Sequence, residues 1–156
     1  MTQTATALSI DAKTAIAEAL NQSVAETAVT TMLAQNFHWN VKGMAFGPLH
    51  DLFQKIYEDH FIGQDDLAER IRSIDAHADG MLAGMIKRSK VAEHDGHASD
   101  KDMIKMMQDA QETLAETIAG CGELAAKHGD TLTEDLCILR GQVHEKFAWF
   151  LRSHLA

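Results

Sequence analysis

One proline, Pro48, occurs in the 156 residues of this chain. Proline breaks helices through its missing N–H and the clash of its ring with the preceding turn, so the sequence on either side of Pro48 is free to run in long helices. Pro48 itself suits the first turn of a helix, where its N–H would have no partner anyway. With 46% hydrophobic residues, the chain has enough length and apolar content for one domain with a proper core. An all-α fold is the prediction.

Periodicity then places the elements. Residues 1–9 are small and polar and are expected to form a mobile arm. Ser9 or Asp11 caps a first helix, with Ile16, Leu20, Val24, Ala28 and Met32 as its core stripe, ending near Trp39. After the short connection NVKGMAFG, a second helix opens at Pro48. It buries Leu49, Phe53, Ile56, His60, Leu67, Ile71 and Ile74 and ends between Ser73 and Ala76. From His77 to Asp100 the pattern breaks for longer than a tight turn needs, with GMLAGMIKRS as a short helix inside it. Ser99 and Asp102 resemble a capping box for a third helix, which Gly129 ends. Thr131 and Glu134 form another box, and Leu132, Leu136, Leu139, Val143, Phe147, Phe150 and Leu151 mark the buried side of the last helix. Four long helices with one long crossover between the second and third predict a ferritin-like four-helix bundle over residues 10–156.

Chemistry concentrates between Asn36 and Arg70, which hold His38, Trp39, His50, Asp65 and Glu69. Imidazoles with carboxylates suit a first-row transition metal such as iron. Asp65 and Glu69 are four residues apart and share a helix face. His38 ends one helix and His50 opens the next, so a hairpin brings the two imidazoles together. At about 1.5 Å per residue, however, Asp65 lies roughly 22 Å along the helix from His50. One ion cannot bridge that distance. The spacing therefore suggests an antiparallel second copy supplying the missing half, and hence a two-fold dimer with two equivalent sites. None of the ten glutamates has a histidine three residues on, which disfavours the Glu-x-x-His centre that bundles use within one chain.

Composition narrows the partners. Fourteen Lys and Arg against 23 Asp and Glu give a net charge of −9, which attracts cations and repels phosphate backbones. The first basic residue is Lys13, so the arm lacks the lysines that hold DNA, and Lys87, Arg88 and Lys90 form the only basic cluster. DNA binding is expected to be weak or absent. Cys121 and Cys137 follow no zinc or redox spacing and fit a reduced cytosol. The N-terminus does not read as a secretory signal, and no apolar run approaches the roughly 20 residues of a membrane span. A cytoplasmic protein is expected.

The segments FHWNVKG, PLHDLF and DDLAERI, with HEKFAWFLRSHL near the end, resemble the Dps family of mini-ferritins over residues 10–155. The resemblance implies a hollow homododecamer of 23 symmetry that oxidises Fe(II), preferably with hydrogen peroxide, at two-fold interfaces and stores Fe(III) oxide, with iron as the metal and no organic cofactor. Carried over by position, His38 and His50 are ligands from one subunit, Asp65 and Glu69 are ligands from its partner, and Trp39 is the aromatic in electron-transfer reach. Many members place an acid where this chain has Gln54. An amide is a weaker, neutral ligand, so one firm iron site and one weak one at Gln54 are expected, with Asp51 or Glu58 as possible substitutes. The family's acidic three-fold pore matches Asp130, Glu134 and Asp135, although acids at a helix start are also ordinary caps. A DNA-compacting protein and a structural zinc site at the same ligands are the competing readings.

Other conspicuous residues have plainer readings. His60 and His144 fit buried structural histidines, the methionines fit core filling, and EHDGHASD, with His94 and His97, fits a loose surface loop.

Overall fold

The structure is a computed structural model that describes residues 4–156, so the first three residues of the expected arm lie outside the described residues. A short 3-10 turn, Ala5–Ala7, precedes five α-helices: α1 Ile10–Asn40, α2 Phe46–Ser73, α3 Leu82–Arg88, α4 Asp100–Lys127 and α5 Thr131–His154. Leu8 is buried against the core, so the segment before α1 is anchored by one side chain. The α1–α2 hairpin packs against the α4–α5 hairpin mainly through α1 and α4, while α3 lies on α1. No helix among the described residues is long and apolar enough to cross a membrane. This is the expected ferritin-like architecture, including the short helix in the crossover.

Local chemistry explains the boundaries. Ser9 caps α1 by accepting the Ala12 N–H at 3.1 Å, and Ser99 caps α4 by accepting the Asp102 N–H at 3.1 Å. Pro48 lies within the first turn of α2, two residues after its start. Gly129 adopts φ 74° just past the end of α4, a left-handed geometry that glycine enters without a Cβ penalty. The cap of α5 is Asp130 rather than Thr131: its carboxylate accepts the Thr133 N–H at 3.1 Å.

Two expected core faces are corrected. Met32 is 51% exposed, because a strict four-residue stripe advances about 40° per step around a helix of 3.6 residues per turn and drifts off the core face. In α5 the buried line is Thr133, Cys137, Arg140, His144, Ala148 and Leu151; of the expected residues Leu151 is buried and Leu136, Phe147 and Phe150 are half-buried against the core, whereas Leu132 and Leu139 face outward. Counting apolar residues shifted the face to one side, because the inward positions Arg140 and His144 carry polar groups satisfied by other helices.

The crossover is held by polar side chains of α1. Asn21 bonds the His77 carbonyl and the Asp79 N–H, Gln22 bonds the Arg88 carbonyl, and Asn36 donates to the His94 carbonyl at 2.7 Å. The tract expected as a loose loop is thus tied down at His94. Two apolar clusters form the core, one around Phe37, Phe53 and Met107, the other around Leu20, Ile71 and Ile118. His60 and Gly63 separate them on α2, and Arg140 and His144 do so on α5. The free thiols Cys121 and Cys137 sit in the second cluster, where the neighbouring thiol and burial push Cys137 far above its ordinary pKa.

Candidate metal centre

The hairpin brings His38 and His50 together. Their rings stack at 3.7 Å with 18° between planes. His38 Nδ1 lies 2.8 Å from the His50 carbonyl, and His50 Nδ1 lies 2.8 Å from the His38 carbonyl. A carbonyl only accepts, so both Nδ1 atoms carry their protons and donate. That assignment leaves Nε2 as the ring position able to offer a lone pair, the tautomer that a metal ligand requires. Phe46 stacks on the far side of His50 at 5.1 Å, and Tyr57 meets the edge of His38 at 5.3 Å. The four rings fix the pair before any ion arrives. Sequence reasoning missed Tyr57 and Phe46. Tyr57 is the sole tyrosine and falls seven residues after His50, two helical turns along the same face, which was the available signal.

Asp65 and Glu69 stand exposed near the other end of α2. Arg70, the residue after Glu69, donates from Nη2 to Asp130 at 2.8 Å and from Nε to Thr133 at 2.8 Å. This pin joins the acidic end of α2 to the start of α5, and it changes the reading of the candidate pore acids. Asp130 is fully buried, committed to Arg70 and to its cap, while Glu134 is half-buried and Asp135 exposed.

Among the described residues, no three His, Cys, Asp or Glu side chains converge on a common metal position. The histidine half and the carboxylate half are thus at opposite ends of one helix. Each half is bordered by exposed apolar side chains: Trp39, Met44 and Phe46 near the histidines, Phe61 and Ile62 next to Asp65. Trp39, 61% exposed, also borders a cavity of about 250 Å³ between α1 and α3, lined by Met32, Leu82 and Ile86. Unpartnered apolar groups of this kind mark contact surfaces. Gln54 is half-buried one turn after His50 and donates its amide to Glu58 at 2.7 Å, and Asp51 points to solvent.

Residues 17–156 match the model of the ferritin-like domain family. The chain is a ferritin-like protein of the Dps family. A DNA protection during starvation protein of Helicobacter pylori is 33% identical over 140 residues, covering 89% of this chain and 97% of that protein. DNA protection during starvation protein 2 of Bacillus anthracis is 32% identical over 141 residues, covering 90% of this chain and 96% of the relative. Among solved structures, the Dps protein of Vibrio cholerae, described as a member of a broad superfamily of ferritin-like diiron-carboxylate proteins, superposes with a TM-score of 0.93 at 29% identity, covering 100% of this chain and 98% of that one. The Dps family membership expected from FHWNVKG, PLHDLF and DDLAERI is therefore shown.

Proposed function

We propose that this Dps-family protein oxidises Fe(II) at sites shared by two antiparallel chains and stores the Fe(III) product inside a hollow homododecamer. The observation that carries the reading is the division of donors along α2, with two imidazoles locked as Nδ1–H tautomers at one end and two exposed carboxylates at the other. A two-fold axis beside α2 joins His38 and His50 of one chain to Asp65 and Glu69 of the partner subunit. The bordering apolar groups supply the burial that such an interface needs.

Two carboxylates neutralise one Fe(II), and the imidazole Nε2 atoms complete its donor set. Hydrogen peroxide accepts two electrons, whereas each Fe(II) gives up one, so two irons, one peroxide and two protons yield two Fe(III) and two waters. Paired delivery avoids release of a hydroxyl radical. Trp39, next to His38 in the chain, is the aromatic in electron-transfer reach of the irons. Gln54 offers a neutral amide, itself engaged by Glu58, so the second iron binds weakly between turnovers, with the exposed Asp51 beside His50 as a further carboxylate. Asp135 and Glu134 contribute negative charge to the iron entry route. The net charge of −9 favours cation uptake in the cytoplasm over DNA compaction.

The test is anaerobic Fe(II) loading followed by hydrogen peroxide or oxygen, with ferric absorbance as the readout, in the native chain and in His50→Ala with Asp65→Ala. Fast peroxide-dependent oxidation that disappears in the double variant supports the reading. A native rate no greater than that of free iron in buffer refutes it.

A further inference from the structure

We infer that Asp59, His60, Gln111, Arg140 and His144 form a buried one-proton site in the middle of the bundle, with His60 as the group that takes the proton and the Gln111 amide as the swivel that accommodates it. The inference is independent of the iron chemistry. His60 and Gln111 are fully buried and His144 is 2% exposed. They link three helices: His60 on α2, Gln111 on α4 and His144 on α5.

Hydrogen-bond directions follow from the partners. His60 Nδ1 lies 2.9 Å from Asp59 Oδ2, a carboxylate that only accepts, so Nδ1 carries a proton. In neutral His60 the Nε2 atom is then an acceptor, and the Gln111 amide nitrogen, 2.9 Å away, donates to it. The Gln111 carbonyl oxygen accepts from His144 Nδ1 at 3.0 Å. That same oxygen lies 3.1 Å from His60 Nε2, so the amide stands side-on to the imidazole, with donor and acceptor both in reach. A small rotation of the amide converts the environment of Nε2 from donor to acceptor. A proton arriving on Nε2 finds its partner already in place.

Charge limits the site to one proton. The charged groups that act on both imidazoles are Asp59 and Arg140. Arg140 donates to Asp59 from Nη2 at 2.8 Å, and its guanidinium occupies the space beside Gly63, where an added Cβ would come within 2.4 Å. From α4 the facing polar group is the neutral Gln111, and the Phe147 ring covers His60 at 5.8 Å. On α1 the buried carboxylate Glu26 is held by Gln22 and the Lys90 N–H on the crossover side. Asp59 already balances Arg140, so one proton takes the site to +1, a charge placed on His60 directly against the carboxylate. A second, on a ring whose centroid is 5.0 Å from the first, does not fit. Of the two imidazoles His60 is the one that bonds the carboxylate, and Asp59, with 31% of its side chain exposed, opens the route to solvent. Burial holds both imidazoles below the ordinary value, His144 well below it, so the site loads only in acid.

Histidine C2–H exchange read residue by residue by mass spectrometry across pH 4 to 8, on the full-length assembled protein, tests this directly. His60 should show one titration step below the ordinary imidazole value of about 6.5, and His144 should show none while the protein remains folded. In Gln111→Glu the added carboxylate should move the His60 step up by about one pH unit or more. In Gln111→Leu, which removes the acceptor, the step should move down. Should the leucine variant fail to fold, the glutamate variant decides. A His144 step at or above that of His60, or an unmoved His60 step in Gln111→Glu, overturns the proposal.

Discussion

Replacing Asp130 by asparagine should loosen the joint between α2 and α5 and, with it, the footing of Glu69. The side chains of Asp130 and Arg70 are 1% and 13% exposed and meet at 2.8 Å, so loss of the carboxylate charge strands a guanidinium with little water to receive it. Removing one partner of a buried ion pair costs about 3 to 5 kcal/mol. Asparagine keeps an oxygen for the Thr133 N–H and for Arg70, which places Asp130→Asn at the lower end, about 3 kcal/mol. Asp130→Ala also removes the cap of α5 and should cost about 1 kcal/mol more. Because the charges compensate each other, Arg70→Met with Asp130→Asn should cost less than the sum of the single changes by about 2 kcal/mol. Urea unfolding followed by helical circular dichroism, at two protein concentrations to separate assembly from folding, measures all four. A cost below about 1 kcal/mol for Asp130→Asn, or strict additivity in the double variant, would refute the reasoning.

Other perturbations probe the remaining joints. Gly63→Ala puts a methyl 2.4 Å from the Arg140 guanidinium carbon and should destabilise the bundle by about 1 to 3 kcal/mol in the same urea assay. His60 and His144 are both held below their unfolded value, so the unfolded chain binds more protons in acid. Stability is therefore full above about pH 6.5 and should fall below it by up to about 1.4 kcal/mol per pH unit for each unprotonated imidazole. A flat profile between pH 6.5 and 5 would contradict this. Gln54→Asp should raise anaerobic Fe(II) binding toward two irons per site, seen as a second phase in calorimetry. His38→Ala leaves the His38 carbonyl that accepts from His50 Nδ1 but removes one of the two stacked imidazoles, and should weaken metal binding at least 10-fold in competition with a chromophoric chelator.

The candidate site was legible because ligand spacing is a property of the chain. His38, His50, Asp65 and Glu69 stand out by residue type, and helix rise alone shows that they fall into two halves. The caps Ser9 and Ser99 were equally legible, since a cap and the N–H groups it serves are within three residues. Legibility failed wherever the partner was distant in sequence. Asp130 looked like a pore acid until Arg70, sixty residues earlier, was seen to hold it. The face of α5 was misplaced because the inward Arg140 and His144 depend on Asp59 and Gln111 from other helices.

The sequence by itself determined the helices, the crossover and the separation of the candidate donors into two groups, because these follow from local periodicity, one proline and distance along a single helix. Only the tertiary structure decided which tautomer the two histidines hold, which acid is committed to a buried ion pair, and how a polar network is satisfied inside an apolar bundle. Hydrogen bonds between helices depend on packing, and their energy depends on the burial that packing creates.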